Sequence, residues 1–97
     1  MFAVHCRDKS TASPLRAAHR PEHLEYVKGS GAAIVGAGPL INAEGHAEGG
    51  LFLLDVADAG AAHQWAEGDP FARLGVYETV NVHEWRYVFG SGLNPAP

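Results

Sequence analysis

The hydrophobic and polar positions first alternate over residues 2–7 (FAVHCR), where Phe2, Val4 and Cys6 share one side of the chain. A period of two with Phe and Val predicts a short strand. The polar loop DKSTAS then ends on Ser13-Pro14, a natural N-cap followed by a natural first helical residue. The stretch 14–28 reads as a helix with Leu15, Leu24 and Val27 as core contacts. Pro21 interrupts that pattern. It lacks an N–H and its ring crowds the preceding turn, which predicts a kink or two helical pieces meeting near Arg20. Gly29-Ser30-Gly31 ends the helix.

A second strand is predicted at 32–38 (AAIVGAG), closing on Gly38-Pro39-Leu40. INAEGHAEGG reads as a turn region, and 51–56 (LFLLDV) as an apolar third strand, so the pair forms a hairpin with a long connection. Asp58 starts a second helix through Gln64-Trp65-Ala66, Gly68 stops it, and Asp69-Pro70 opens a further helical turn through Arg73-Leu74. The last strand spans roughly 76–88 (VYETVNVHEWRYV). There Val76, Val80, Val82 and Val88 alternate with Tyr77, Trp85 and Tyr87, so both faces carry apolar groups and call for cover. Residues 91–97 read as a flexible tail.

The order is β-α-β-β-α-β, the split βαβ pattern of the ferredoxin-like α+β class. Right-handed crossovers put both helices on one face of a four-stranded antiparallel sheet. The double-faced final strand assigns the other face to a second subunit, predicting a homodimer built as a dimeric α+β barrel. Residues 1–97 read as one domain, without a repeat or a linker.

Charge and composition narrow the partners. Seven basic against eleven acidic residues give a net charge of −4, and the basic ones form no long run. That is not the electrostatic footprint of a nucleic-acid binder. No apolar stretch is long enough for a membrane span and the start lacks a signal-peptide pattern, so a cytoplasmic protein is the default expectation. The single cysteine, Cys6, cannot form an internal disulfide, and its place in an apolar run predicts a buried thiol. A catalytic thiol needs a neighbouring base, whereas His5 points to the opposite face of the strand.

Three motifs are set aside. His19-Arg-Pro-Glu-His23 has the letters of H-x-x-E-H, but that metal chemistry needs an uninterrupted helix, and Pro21 stands between the two imidazoles. Gly29-Ser-Gly-Ala-Ala-Ile34 lacks a third glycine and leads into a strand rather than a helix, unlike a dinucleotide fingerprint. His46, His63 and His83 are scattered over different elements. Neither a metal nor an organic cofactor is expected.

Several short stretches, in order along nearly the whole chain, resemble the YciI-like (YCII-related) family. They are Ser13 ahead of a helix, Arg20-Pro21-x-His23-Leu24, Gly38-Pro39-Leu40, Gly49-Gly50, Asp69-Pro70-Phe71, and Gly75-Val76-Tyr77-Glu78 with Val82 and Trp85. The resemblance implies a dimeric ferredoxin-like fold and a cleft holding a histidine and an aspartate. One related enzyme is a dehydrochlorinase acting on a chlorinated hydroxyhydroquinone, while many members have no assigned reaction. Carried over by motif, the catalytic pair is His23 of R-P-E-H-L and Asp69 of D-P-F, with Ser13 and Arg20 as substrate-binding residues around it.

The pairing makes chemical sense. A neutral imidazole takes a proton near pH 7, and a nearby carboxylate fixes its tautomer. Arg20, one helical turn before His23, could hold an anionic group, and Ser13 could donate to the same oxygen. Plainer roles stand beside these. Asp69 before Pro70 is an ordinary N-cap, His23 a half-buried helix residue, Ser13 a cap, and Arg20 a surface partner of Glu22 or Glu25. Two function classes follow. One is a cofactor-free proton-transfer enzyme of lyase, dehydrochlorinase or isomerase type acting on a small organic substrate. The other is a metabolite-binding or accessory module using the same cleft without turnover.

Overall fold

A computed structural model describes residues 1–90 and 92. The elements are β1 (Phe2–Asp8), α1 (Ser13–Gly29), a short 3-10 turn (Gly31–Ala33), β2 (Ile34–Ile41), β3 (Ala47–Leu54), α2 (Ala59–Gly68), α3 (Pro70–Arg73) and β4 (Tyr77–Glu84). The four strands form one antiparallel sheet in the order β2-β3-β1-β4. This is the ferredoxin-like topology predicted from the element order. The tail predicted for 91–97 lies outside the described residues, apart from residue 92.

One face of the sheet carries the core. Phe2, Val4 and Cys6 of β1 and Phe52 and Leu54 of β3 are buried together with Ala62 and Ala66 of α2 and Phe71 of α3. Register explains the grouping, because Val4 stands opposite both Phe52 and Val82, and cross-strand partners share a face. Leu15 and Val27 of α1 pack against the same cluster. Each fully buried side chain of the size of Phe71 or Leu54 contributes about 1.5–3 kcal/mol.

The expected dimeric α+β barrel is corrected here: the sheet is open, with β2 and β4 as unjoined edges. The case for a covering second subunit also weakens, because it rested on a long, double-faced last strand. β4 stops at Glu84, so Trp85, Tyr87 and Val88 lie beyond it. The outward positions of β4, opposite Arg7, His5 and Ala3, are Thr79, Asn81 and His83, all exposed and polar. Tyr77, which alternation assigns to that outer face, is instead buried on the helix side. A register shift between Arg7 and Asp8 places Tyr77 opposite Asp8, leaves Glu78 as the extra residue, and reverses the facing.

Other boundaries differ for local reasons. α1 runs unbroken through Pro21, whose missing donor falls on an exposed stretch of the helix. Its N-cap is Ala12, with no side-chain cap, and Ser13 is already the first helical residue. β3 begins at Ala47 and so includes Gly49-Gly50, leaving a short connection rather than a long one. Asn42 closes that connection: its side-chain oxygen accepts from the N–H groups of Glu44 and His46, and Gly45 adopts a φ of +85°.

Candidate functional site

Asp69 is positioned by the break between two helices. α2 ends at Gly68, Pro70 opens the single turn of α3, and Asp69 caps that turn by accepting from the Phe71 N–H at 3.0 Å. The turn then closes in a Schellman arrangement: Val76 N–H bonds Phe71 C=O, Gly75 N–H bonds Ala72 C=O, and Gly75 takes a φ of +82°. Chain reversal on both sides therefore fixes a carboxylate that is only 1% exposed.

Burying a carboxylate costs several kcal/mol unless it is well bonded, and Asp69 accepts three hydrogen bonds. Besides the Phe71 N–H, Oδ1 meets Nδ1 of His23 at 2.7 Å, and Oδ2 accepts from the Tyr77 hydroxyl at 2.8 Å. An ionised carboxylate only accepts, so Nδ1 of His23 carries a proton, and in the neutral imidazole Nε2 is then the ring nitrogen left to accept one. The imidazole is held on its faces as well. It stacks on Phe71 at 4.1 Å with the planes 6° apart, and meets Phe52 edge-on at 5.7 Å. Of the α1 residues only His23 is fully packed away, at 8% exposed.

His23 forms part of the wall of a cavity of about 240 Å³ between α1 and the β2–β3 hairpin. Its other walls combine apolar side chains (Leu24, Val27, Phe52, Pro39) with three cations, Arg16, Arg20 and Lys28, and no carboxylate. Arg16, Arg20, His23 and Val27 follow one another at helical spacing, so one stripe of α1 faces the cavity. Arg16 is committed to structure. Its guanidinium bonds both oxygens of Asp8 (2.6 and 3.2 Å), donates to the Gly49 carbonyl at 3.0 Å, and lies 4.7 Å from the centre of the Phe71 ring. Arg20 and Lys28 are exposed and available to a ligand.

Three of the four predicted site residues thus meet: His23 and Asp69 in direct contact, with Arg20 in the same cavity wall. Ser13 does not join them. It lies about 15 Å earlier along the helix axis, and lines a separate, open concavity with Asp8, Asn42 and His46. The H-x-x-E-H letters also acquire a different explanation, since the helix is unbroken. His19 bonds Glu22 at 3.0 Å while His23 is spoken for by Asp69, so each imidazole has its own carboxylate. Cys6 is buried as expected, and burial pushes its thiol up to about 12, which keeps it protonated and unreactive.

Phe71 entered the sequence analysis only as a letter of the family resemblance, and Tyr77 as that and as an apolar position of the last strand, neither with a role in the site; Arg16 and Lys28 were not singled out in it. Arg16 and Lys28 were visible in principle, because they share the cavity-facing side of α1 with His23. The place of Tyr77 in the site was not visible from alternation, because only the bulge brings it to the helix side.

Comparison with known proteins fits this geometry. The YCII-related domain matches residues 1–86. The chain belongs to the YCII-related family. Among its relatives is Protein YciI of Escherichia coli O6:H1 (strain CFT073), 29% identical, covering 92% of this chain and 99% of that protein. Protein YciI of Shigella flexneri gives the same figures. Among solved structures, the fold is similar to that of 5-chloro-2-hydroxyhydroquinone dehydrochlorinase (TftG) from Burkholderia phenoliruptrix AC1100, in complex with 2,5-dihydroxybenzoquinone. The TM-score is 0.84, at 22% identity over 90% of this chain and 94% of that one. In this member of the family, no helix among the described residues is long and apolar enough to cross a membrane.

Proposed function

We propose that the protein is a cofactor-free proton-transfer enzyme of lyase type, with His23 as the general base and Asp69 as its partner. The observation that carries this reading is the buried 2.7 Å contact between Nδ1 of His23 and Oδ1 of Asp69 at the wall of a cavity. With Nδ1 donating to the carboxylate, Nε2 is the atom that takes a substrate proton, and Asp69 stabilises the imidazolium that forms.

Size and charge describe the substrate. An apolar cavity of about 150 Å³ admits a benzene ring, so about 240 Å³ suits one substituted ring or a molecule of that size. Phe52, Leu24 and Val27 offer flat apolar contact, while Arg20 and Lys28 offer positive charge to an acidic hydroxyl or a carboxylate. The similar dehydrochlorinase, named for a chlorinated hydroxyhydroquinone and solved with a dihydroxybenzoquinone, supports an oxygenated ring as the first class to try. The balanced step is loss of HCl. In the ring's keto tautomer a hydroxyl proton has moved to the chlorine-bearing carbon and made it tetrahedral. His23 takes the proton of a second hydroxyl, and the electrons of that O–H bond become a C=O π bond. The adjacent C=C pair shifts to the tetrahedral carbon, and chloride leaves with the electrons of the carbon–chlorine bond. No external oxidant or reductant is consumed.

Chloride release from a panel of chlorinated hydroxyhydroquinones, measured beside calorimetric binding of 2,5-dihydroxybenzoquinone, tests the reading. Turnover supports it. Binding without chloride release from any ring in the panel favours the metabolite-binding alternative and overturns the lyase.

A further inference from the structure

The bulge in β4 has a chemical result. Regular alternation from Val82 and Val80, which face the helices, would send Tyr77 to the outer face of the sheet. The register shift at Arg7/Asp8 returns it to the helix side, where it is 8% exposed and packs edge-on to Phe71 with ring centres 6.0 Å apart. Bulges recur beside active sites because they re-aim a side chain in this way. Here the hydroxyl lands on the one oxygen of Asp69 that neither His23 nor Phe71 uses.

A carboxylate joined to the chain by single bonds can turn about its own axis. Oδ1 is fixed by two donors, but without a donor at Oδ2 the group could still twist and swing its oxygens off the line of the His23 Nδ1–H. Among the described residues the Tyr77 hydroxyl is the one donor that bonds Oδ2; Arg16 of α1 is spent on Asp8 and Gly49, and the Tyr26 hydroxyl on the Trp65 carbonyl. Facing the same point from β1 are Cys6, a buried neutral thiol, and Asp8, which is paired with Arg16. Tyr77 itself stays protonated: burial first, and then the Asp69 charge, raise its hydroxyl well above the ordinary 10.0. It is therefore a permanent donor across any working pH.

We propose that Tyr77 is a positioning residue for the His23–Asp69 pair: its hydroxyl locks Oδ2, so that Oδ1 stays on the Nδ1–H of His23 and Nε2 stays free as the base. The inference rests on the proposed reading only in naming Nε2 as the base. Its test needs no substrate, so failure of the lyase assignment and failure of this proposal can be told apart.

The test is nitrogen NMR of the labelled imidazole in the wild-type chain and in Tyr77→Phe. In the wild type, His23 should show one tautomer, with Nδ1 protonated and Nε2 bare. In Tyr77→Phe the two nitrogens should move toward averaged shifts, and the Nδ1–H should exchange with water at least tenfold faster, while distant amide resonances stay in place. A simple packing role would lower stability without touching the tautomer. Unchanged tautomer and exchange in a folded Tyr77→Phe overturns the proposal. Should that variant not fold, 3-fluorotyrosine placed at position 77 alone keeps the shape and donates more strongly. The Nδ1–H resonance should then move upfield, as Asp69 accepts less from His23; no movement would equally overturn the proposal.

Discussion

Replacing Asp69 with alanine removes three accepted hydrogen bonds at once, and the structure sets the size of the loss. The cap on the Phe71 N–H is worth about 1 kcal/mol. The Tyr77 hydroxyl and the His23 Nδ1–H are then left as buried donors without partners, at about 1–3 kcal/mol each. Water entering from the adjacent cavity offsets part of this, so we expect a total of about 3–5 kcal/mol, a large share of an ordinary domain's margin. Asp69→Asn is the control. Its oxygen can still cap Phe71 and accept from His23, and its NH₂ can donate to the Tyr77 oxygen, so the loss should be about 1 kcal/mol. Urea unfolding followed by tryptophan fluorescence measures both, with the midpoint moving and the slope held. Should Asp69→Ala lose only the value of a cap, His23 and Tyr77 do not depend on this carboxylate and the site is misread.

Cys6 should resist iodoacetamide at pH 8 in the folded protein and react once urea unfolds it, since burial raises its thiol from 9.0 to about 12; labelling followed by mass spectrometry reads this. The same shift, joined by the raised Tyr77 hydroxyl, makes the unfolded chain release protons first at high pH. The stability these groups contribute is therefore complete below pH 9 and lost as pH rises toward 12, so the urea midpoint should fall between pH 8 and pH 10.5. Arg16→Lys keeps a charge but loses the fork that spans Asp8 and the Gly49 carbonyl, and should cost about 1–2 kcal/mol in a thermal melt.

Much of this architecture was legible in local signals. Asp58 and Asp69 cap where a side-chain oxygen before a helical run should, and Gly68 ends α2, so the break that presents Asp69 could be read directly. What misled was information held between strands. Alternation along 76–88 is a statement about an ideal strand, and one extra residue opposite Arg7/Asp8 moved Tyr77 across the sheet. With Tyr77 turned inward and β4 ending at Glu84, the last strand loses the apolar outer side on which the barrel was argued. Leu51 and Leu53 of β3 are the large apolar side chains left facing outward beside β1. Pro21 misled for another reason. A helix that packs a buried His23 at its centre is held by tertiary contacts, and a missing donor on its exposed side does not break it. Ser13 was placed by motif, and a motif does not show that three helical turns separate it from His23.

The most direct test of the account compares chloride release by the wild-type chain and by His23→Gln, using chlorinated hydroxyhydroquinones at saturating concentration. Glutamine keeps a polar side chain of similar reach but cannot take the proton. With the fold verified by its amide spectrum, the variant should be slower by about 10²–10⁴, the usual contribution of a positioned general base. Release within a few-fold of the wild-type rate would contradict the assignment of His23. So would the absence of release by the folded wild-type chain from every ring tried.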